Sequence, residues 1–216
     1  MKPPEFNFGY NWFDLVTLAL LVVGFFVGRK RGMSLELLTV LQWIAIVFLG
    51  ALACDPLGRM FADFSGLNPT LTYITAYLLT AIGIKILFVL IRRMTGEKLV
   101  GNTMFGNMEY YLGMGAGMVR FACILLFALA LINAKHYTKA EIDAKLKHQQ
   151  DWAGSIYFPP FGVIQQTIFE ESLTGRAVKQ FLSAQLINVD PAAAGGATET
   201  IGRRREREVD EIMIRK

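Results

Sequence analysis

The chain has 216 residues, 53% of them hydrophobic and 19% charged, with a formal net charge of +4, a pI of about 9.1 and a mean hydropathy of +0.38. A soluble domain of this size does not sort its apolar residues into runs of about 20, so the composition points instead to one membrane domain with a smaller appendage. The basic surplus does not indicate nucleic acid: Lys and Arg mostly flank the apolar runs, as topology determinants do, and no nucleic-acid recognition motif occurs.

The first predicted span covers about residues 12–28, with Trp12 as an interfacial anchor and Asp14 near its outer edge. Arg29-Lys30-Arg31 follows this run instead of preceding it, so it reads as a retained span with its N-terminus outside and not as a signal peptide. A turn at Arg31-Gly32 leads into a second span at 33–53, which carries Glu36 one turn in and Gln42 deeper. Residues 54–69 read as a loop: Pro56, Gly58, Gly66 and Asn68-Pro69 are loop formers, and Asp55, Arg59 and Asp63 give a charge of −1.

The third span, 71–91, ends at Arg92-Arg93 and holds Lys85 about 9 Å before that end. The fourth, 110–132, opens on Tyr110-Tyr111 and continues through Gly113, Gly115, Gly117 and Arg120 into an uninterrupted apolar run. The first loop carries three basic residues, the third carries Arg92, Arg93 and Lys98, and the second only Arg59. The positive-inside rule then places loops one and three in the cytoplasm and both termini outside.

Residues 135–190 form a polar linker followed by amphipathic helix. Phe161, Ile164, Ile168 and Phe169 recur at helical spacing after Pro159-Pro160, and Leu173, Ala177, Phe181 and Leu182 continue the pattern past a break at Gly175. Glu170, Glu171, Arg176 and Lys179 exclude a span, so the expectation is one or two helices along the bilayer surface or against the bundle. A small soluble helical hairpin is the blander alternative. Residues 191–216 read as a flexible linker, Ala192 to Thr198, and a tail whose last 14 residues hold six basic and four acidic side chains. The fold class expected from the whole chain is all-α: a polytopic bundle of four transmembrane helices with a C-terminal amphipathic segment.

Candidate functional residues are the polar groups that a bilayer resists. A charge near the centre of a lipid-exposed helix costs at least about 2.5–3.5 kcal/mol on insertion scales, so Asp14, Glu36, Lys85 and Arg120 are expected to face helices, water or each other. Glu36 and Lys85 lie at similar depths. Either they form a pair, or Lys85 snorkels to the interface while Glu36 favours the N-terminal dipole of its own helix, as Asp14 does for span one. Arg120 is interfacial if span four begins near Met118; if it begins at Tyr110, the residue lies about 15 Å deep and needs a partner or water. Gly113 and Gly117 form a small-xxx-small face, which serves either packing within the chain or self-association around a pore.

The Gly113-Met114-Gly115-Ala116-Gly117 run is not a dinucleotide loop, because no strand precedes it and no acidic residue follows at the required place. His136 and His148 make no metal pattern. Cys54 and Cys123 sit at different depths, which disfavours a disulfide, and no nucleophile–base constellation occurs. No catalytic activity, cofactor or metal is therefore expected.

Four pieces of sequence in order carry a family resemblance: Trp12-Phe13-Asp14; Arg31-Gly32 with Glu36 and Trp43; Leu112-Gly113 with Gly117 and Arg120; and Asp151-Trp152 with Ser155, Pro159 and Phe161. Their order and spacing over about residues 12–172 resemble the colicin V production protein family of bacterial inner-membrane proteins. The chain departs from that pattern at Glu109-Tyr110, where members often have Asp-Arg, and at Phe121, where they often have Gly. The resemblance implies a multi-pass, non-enzymatic protein of the bacterial cytoplasmic membrane that supports toxin production or secretion and envelope homeostasis. Its expected partners are the lipid bilayer and either further copies of itself or other membrane proteins. The alternative is a small oligomeric ion channel or transporter whose glycine-rich span four lines the pore.

Overall fold

The computed structural model describes residues 11–65, 69–95, 106–135, 137, 142–144, 146–148 and 160–189. Among the described residues, four helices are long and apolar enough to cross a membrane: α1 (Trp12–Arg31), α2 (Met33–Ser65), α3 (Pro69–Thr95) and α4 (Glu109–Asn133). No strand occurs among the described residues. The chain is an all-α, multi-pass membrane protein.

Each boundary has a local cause. Asp14 turns back to accept a hydrogen bond from the Asn11 backbone N–H (3.3 Å), satisfying a donor that the first turn of α1 leaves free. Gly32 ends the helix with φ +74°, and its N–H bonds to the Gly28 carbonyl at 2.9 Å. That positive φ favours glycine, and it lets a single residue separate α1 from α2.

Helix α2 differs from the sequence expectation. It continues through Pro56 to Ser65 where a loop is expected. At 33 residues it is about 50 Å long, well beyond the roughly 30 Å hydrocarbon core. Pro56 removes one backbone donor from the ladder, but contacts with α3 hold the extension in place. The Cys54 thiol donates to the Tyr73 carbonyl at 3.5 Å, and the bare face of Gly58 lies against the Tyr73 ring. Gly50 similarly receives the Tyr77 ring.

In space the helices run in the order α1–α4–α2–α3. Helix α4 is wedged between the two helices that the Gly32 turn joins. Tyr77 of α3 stacks on Phe127 of α4 with centroids 5.3 Å apart, and Trp43 of α2 meets the same ring edge-on. Away from these seams, Leu15, Leu18, Val22, Phe48, Leu52, Ile82, Ile86 and Leu87 are exposed. A surface so apolar fits lipid and not water.

The amphipathic segment lies against the bundle. It comprises α5 (Phe161–Gln166), a π turn (Thr167–Glu171), α6 (Leu173–Phe181) and a 3-10 turn (Ser183–Gln185). Ile168, Phe169, Val178, Leu186 and Ile187 join Phe13, Cys54, Tyr73, Leu129 and Ala130 in one core at the end where α1 begins and α4 finishes. The Gln165 amide donates to the Ile132 and Lys135 carbonyls (3.1 and 2.8 Å), and Asn133 donates to the Ile187 carbonyl (3.1 Å). The Ile132 carbonyl, one of the last in α4 that the helix itself leaves without a partner, is thereby satisfied. His136, Lys98, the Asp151-Trp152 motif with Ser155, and residues 191–216 lie outside the described residues.

Candidate functional site

The charged residues that the sequence singles out fall at opposite ends of the bundle. At the end formed by the close of α1 and the starts of α2 and α4, Glu36 is fully buried. Arg120 Nη1 donates to both of its carboxylate oxygens, each at 2.8 Å. Arg120 is itself only 8% exposed, and its guanidinium lies 4.9 Å from the centroid of the Phe121 ring. Arg31 approaches the same carboxylate at 3.5 Å from the solvent side, with about half of its side chain exposed.

Helix geometry explains the pairing. Arg120 sits about 16 Å along α4 from Glu109, whereas Glu36 lies in the first turn of α2. A helical side chain leans toward its own N-terminus, so Arg120 reaches back to the end where Glu36 sits. The partner of Glu36 is therefore Arg120 and not Lys85, which is exposed on α3. The fourth helix begins at Glu109, and the depth of Arg120 is resolved by an ion pair and not by an interfacial position.

A second carboxylate completes this end. Glu109 Oε1 accepts the Ser34 backbone N–H at 3.2 Å, so the first turn of α4 caps the start of α2. Gly32 leaves room for it: a Cβ there would stand 2.8 Å from Glu109 Cγ. The turn thus needs glycine for its φ and for its neighbour.

The Gly113 and Gly117 face is occupied within the chain. It meets a matching face formed by Gly24 and Gly28 of α1 and by Gly32 just past its end, and the two helices run antiparallel at backbone contact. A Cβ on Gly28 would collide with the Gly113 carbonyl oxygen, and one on Gly117 with that of Gly24. Gly115 has no atom within 4 Å of where its Cβ would be. Close approach of this kind places Cα hydrogens against carbonyl oxygens and gives dense van der Waals contact, which is the main packing force between helices in lipid. The partner face is visible in the sequence as glycines four apart at 24, 28 and 32, a spacing that reading span four alone overlooks.

At the other end, Asp14 holds the C-terminal segment. Its Oδ1 accepts from the Thr174 N–H (2.9 Å) and hydroxyl (2.7 Å), and its Oδ2 accepts from the Leu173 N–H (3.1 Å). Beside its own helix, Asp14 thus caps the first turn of α6, where Ser172 also accepts from Gly175 at 2.8 Å. Thr174 and Ser172 carry no sequence signal for this role beyond the preference of Ser and Thr for helix starts.

The arrangement is a set of electrostatic latches. Carboxylates at each end of the bundle tie two or three helices together, and glycines close the α1–α4 seam. No cluster of three or more His, Cys, Asp or Glu side chains able to hold a metal occurs among the described residues, and Cys54 and Cys123 are free and buried. Compared with known proteins, residues 13–166 match the family model described as Colicin V production protein. No curated protein and no solved structure matches the chain.

Proposed function

The chain belongs to the colicin V production protein family, and on that premise we propose that it is a non-enzymatic accessory protein of the bacterial cytoplasmic membrane. It supports toxin production or secretion and envelope homeostasis by contacting other membrane components. The Arg29-Lys30-Arg31 turn and Arg92-Arg93 face the cytoplasm, and the segment at 160–189 lies on the outer side.

One observation carries the preference for this role over a channel. The Gly113/Gly117 face is filled by Gly24 and Gly28 of α1, and Arg120 is neutralised by Glu36. A pore helix needs that glycine face free for neighbouring copies, and here it is spent on intrachain packing. What remains outward on the four spans is a broad apolar surface suited to lipid or to other membrane helices.

The test is conductance of the purified, inserted protein in a planar bilayer, paired with cross-linking in the native membrane. Silence together with a discrete cross-linked membrane protein is the expected result. Unitary currents altered by Gly113→Leu would overturn the accessory role in favour of a channel. An alkaline phosphatase fusion after Lys135 is expected to be active, and an inactive one would reverse the orientation.

A further inference from the structure

The glycine seam between α1 and α4 creates a groove of about 790 Å³ on the bundle surface, at the end where Arg29 and Lys30 lie. Backbones touch along the glycines, while the large side chains beside them stand out as walls. Phe26 and Lys30 lie one turn apart on α1, and Tyr110 and Met114 lie one turn apart on α4.

Because the helices are antiparallel, the polar ends of both walls coincide. Arg29, Lys30, Tyr110 and Tyr111 mark the rim, and Phe26 and Met114 lie about 6 Å deeper toward the bilayer centre. The cations carry a charge of +2; of the carboxylates at this end, Glu36 is neutralised by Arg120 and Arg31, and Glu109 is buried, with Oε1 turned to the Ser34 N–H. Phe26, Tyr110 and Tyr111 are more than half exposed, so the walls are open to a ligand arriving from the membrane.

A positive, hydrogen-bonding rim above an apolar floor matches an amphiphile with an anionic head and a hydrocarbon tail. We propose that this groove is a binding site for an anionic phospholipid. Arg29 and Lys30 hold the phosphate, the Tyr110 and Tyr111 phenols flank the head, and the acyl chain lies along Phe26 and Met114. Such a lipid would shield the α1–α4 seam on its outer side.

Native mass spectrometry of the full chain in detergent, titrated with dioleoylphosphatidylglycerol or dioleoylphosphatidylcholine, tests this. At roughly fivefold in affinity per basic residue at the surface, two cations give a preference for phosphatidylglycerol of about twenty-five-fold. Arg29→Gln/Lys30→Gln is expected to reduce that preference to less than about threefold. Lys85→Gln/Arg93→Gln, which removes the same charge elsewhere on the surface, is expected to keep it. Met114→Trp fills the floor without changing charge and is expected to lower phosphatidylglycerol occupancy. The proposal is overturned if the two lipids bind equally, if both double variants lose the preference alike, or if Met114→Trp leaves occupancy unchanged.

Discussion

Removing Arg120 alone should be among the most damaging substitutions in the chain, and removing it together with Glu36 should not. Glu36 is fully buried and meets one guanidinium nitrogen at 2.8 Å through both oxygens. Two unit charges about 4 Å apart attract by about 4 kcal/mol at an effective dielectric of about 20. Truncating one partner also leaves the other buried without its close counter-charge, Glu36 keeping only the half-exposed Arg31 at 3.5 Å, and such losses run to about 3–5 kcal/mol. The pair itself has been desolvated, so its apolar replacement is nearly neutral. Arg120→Met and Glu36→Leu should therefore each destabilise the fold by about 3–5 kcal/mol, and the double variant should lie within about 1 kcal/mol of the parent. Arg31→Ala, at 3.5 Å from the carboxylate and half exposed, should cost under about 1 kcal/mol. The assay is unfolding in mixed micelles at increasing mole fractions of denaturing detergent, followed by circular dichroism. Additive single losses, or an Arg31→Ala loss equal to that of Arg120→Met, would refute the latch.

Gly28→Ala should separate α1 from α4 and cost about 1–3 kcal/mol, whereas Gly115→Ala should be neutral or stabilise by about 0.5–1 kcal/mol, with thermal melts in detergent distinguishing them. Gly32→Ala should lose at least about 1 kcal/mol from its φ of +74° alone, and melting unchanged from the parent would contradict the tightness of that turn. Asp14→Ala should release the segment at 160–189 by removing the acceptor for Leu173 and Thr174, at about 1–2 kcal/mol. Limited proteolysis should then cut that segment first while the four spans stay intact, and simultaneous cleavage of spans and segment would count against it.

The sequence by itself determined the all-α class with four apolar spans, which follows from local composition, and the family, which follows from the order of short motifs. A run of 20 apolar residues must be helical in lipid wherever its neighbours lie, and the ordered motifs of the family need no contacts to be read. The partners were a different matter. Glu36 has Lys85 at a similar depth and Arg120 far along another helix, and depth alone favours the wrong one. Only the wedging of α4 between α1 and α2, with the backward lean of helical side chains, brings Arg120 to the carboxylate. The glycines at 24 and 28 have the same spacing as those at 113 and 117, yet nothing local says that the two faces meet and do not each seek a second copy. Pro56 and Gly58 are loop formers by propensity, and the Tyr73 ring and carbonyl override them. Spans are fixed by the solvent around the chain, whereas pairings are fixed by which helices touch, and that is a property of the packed bundle alone.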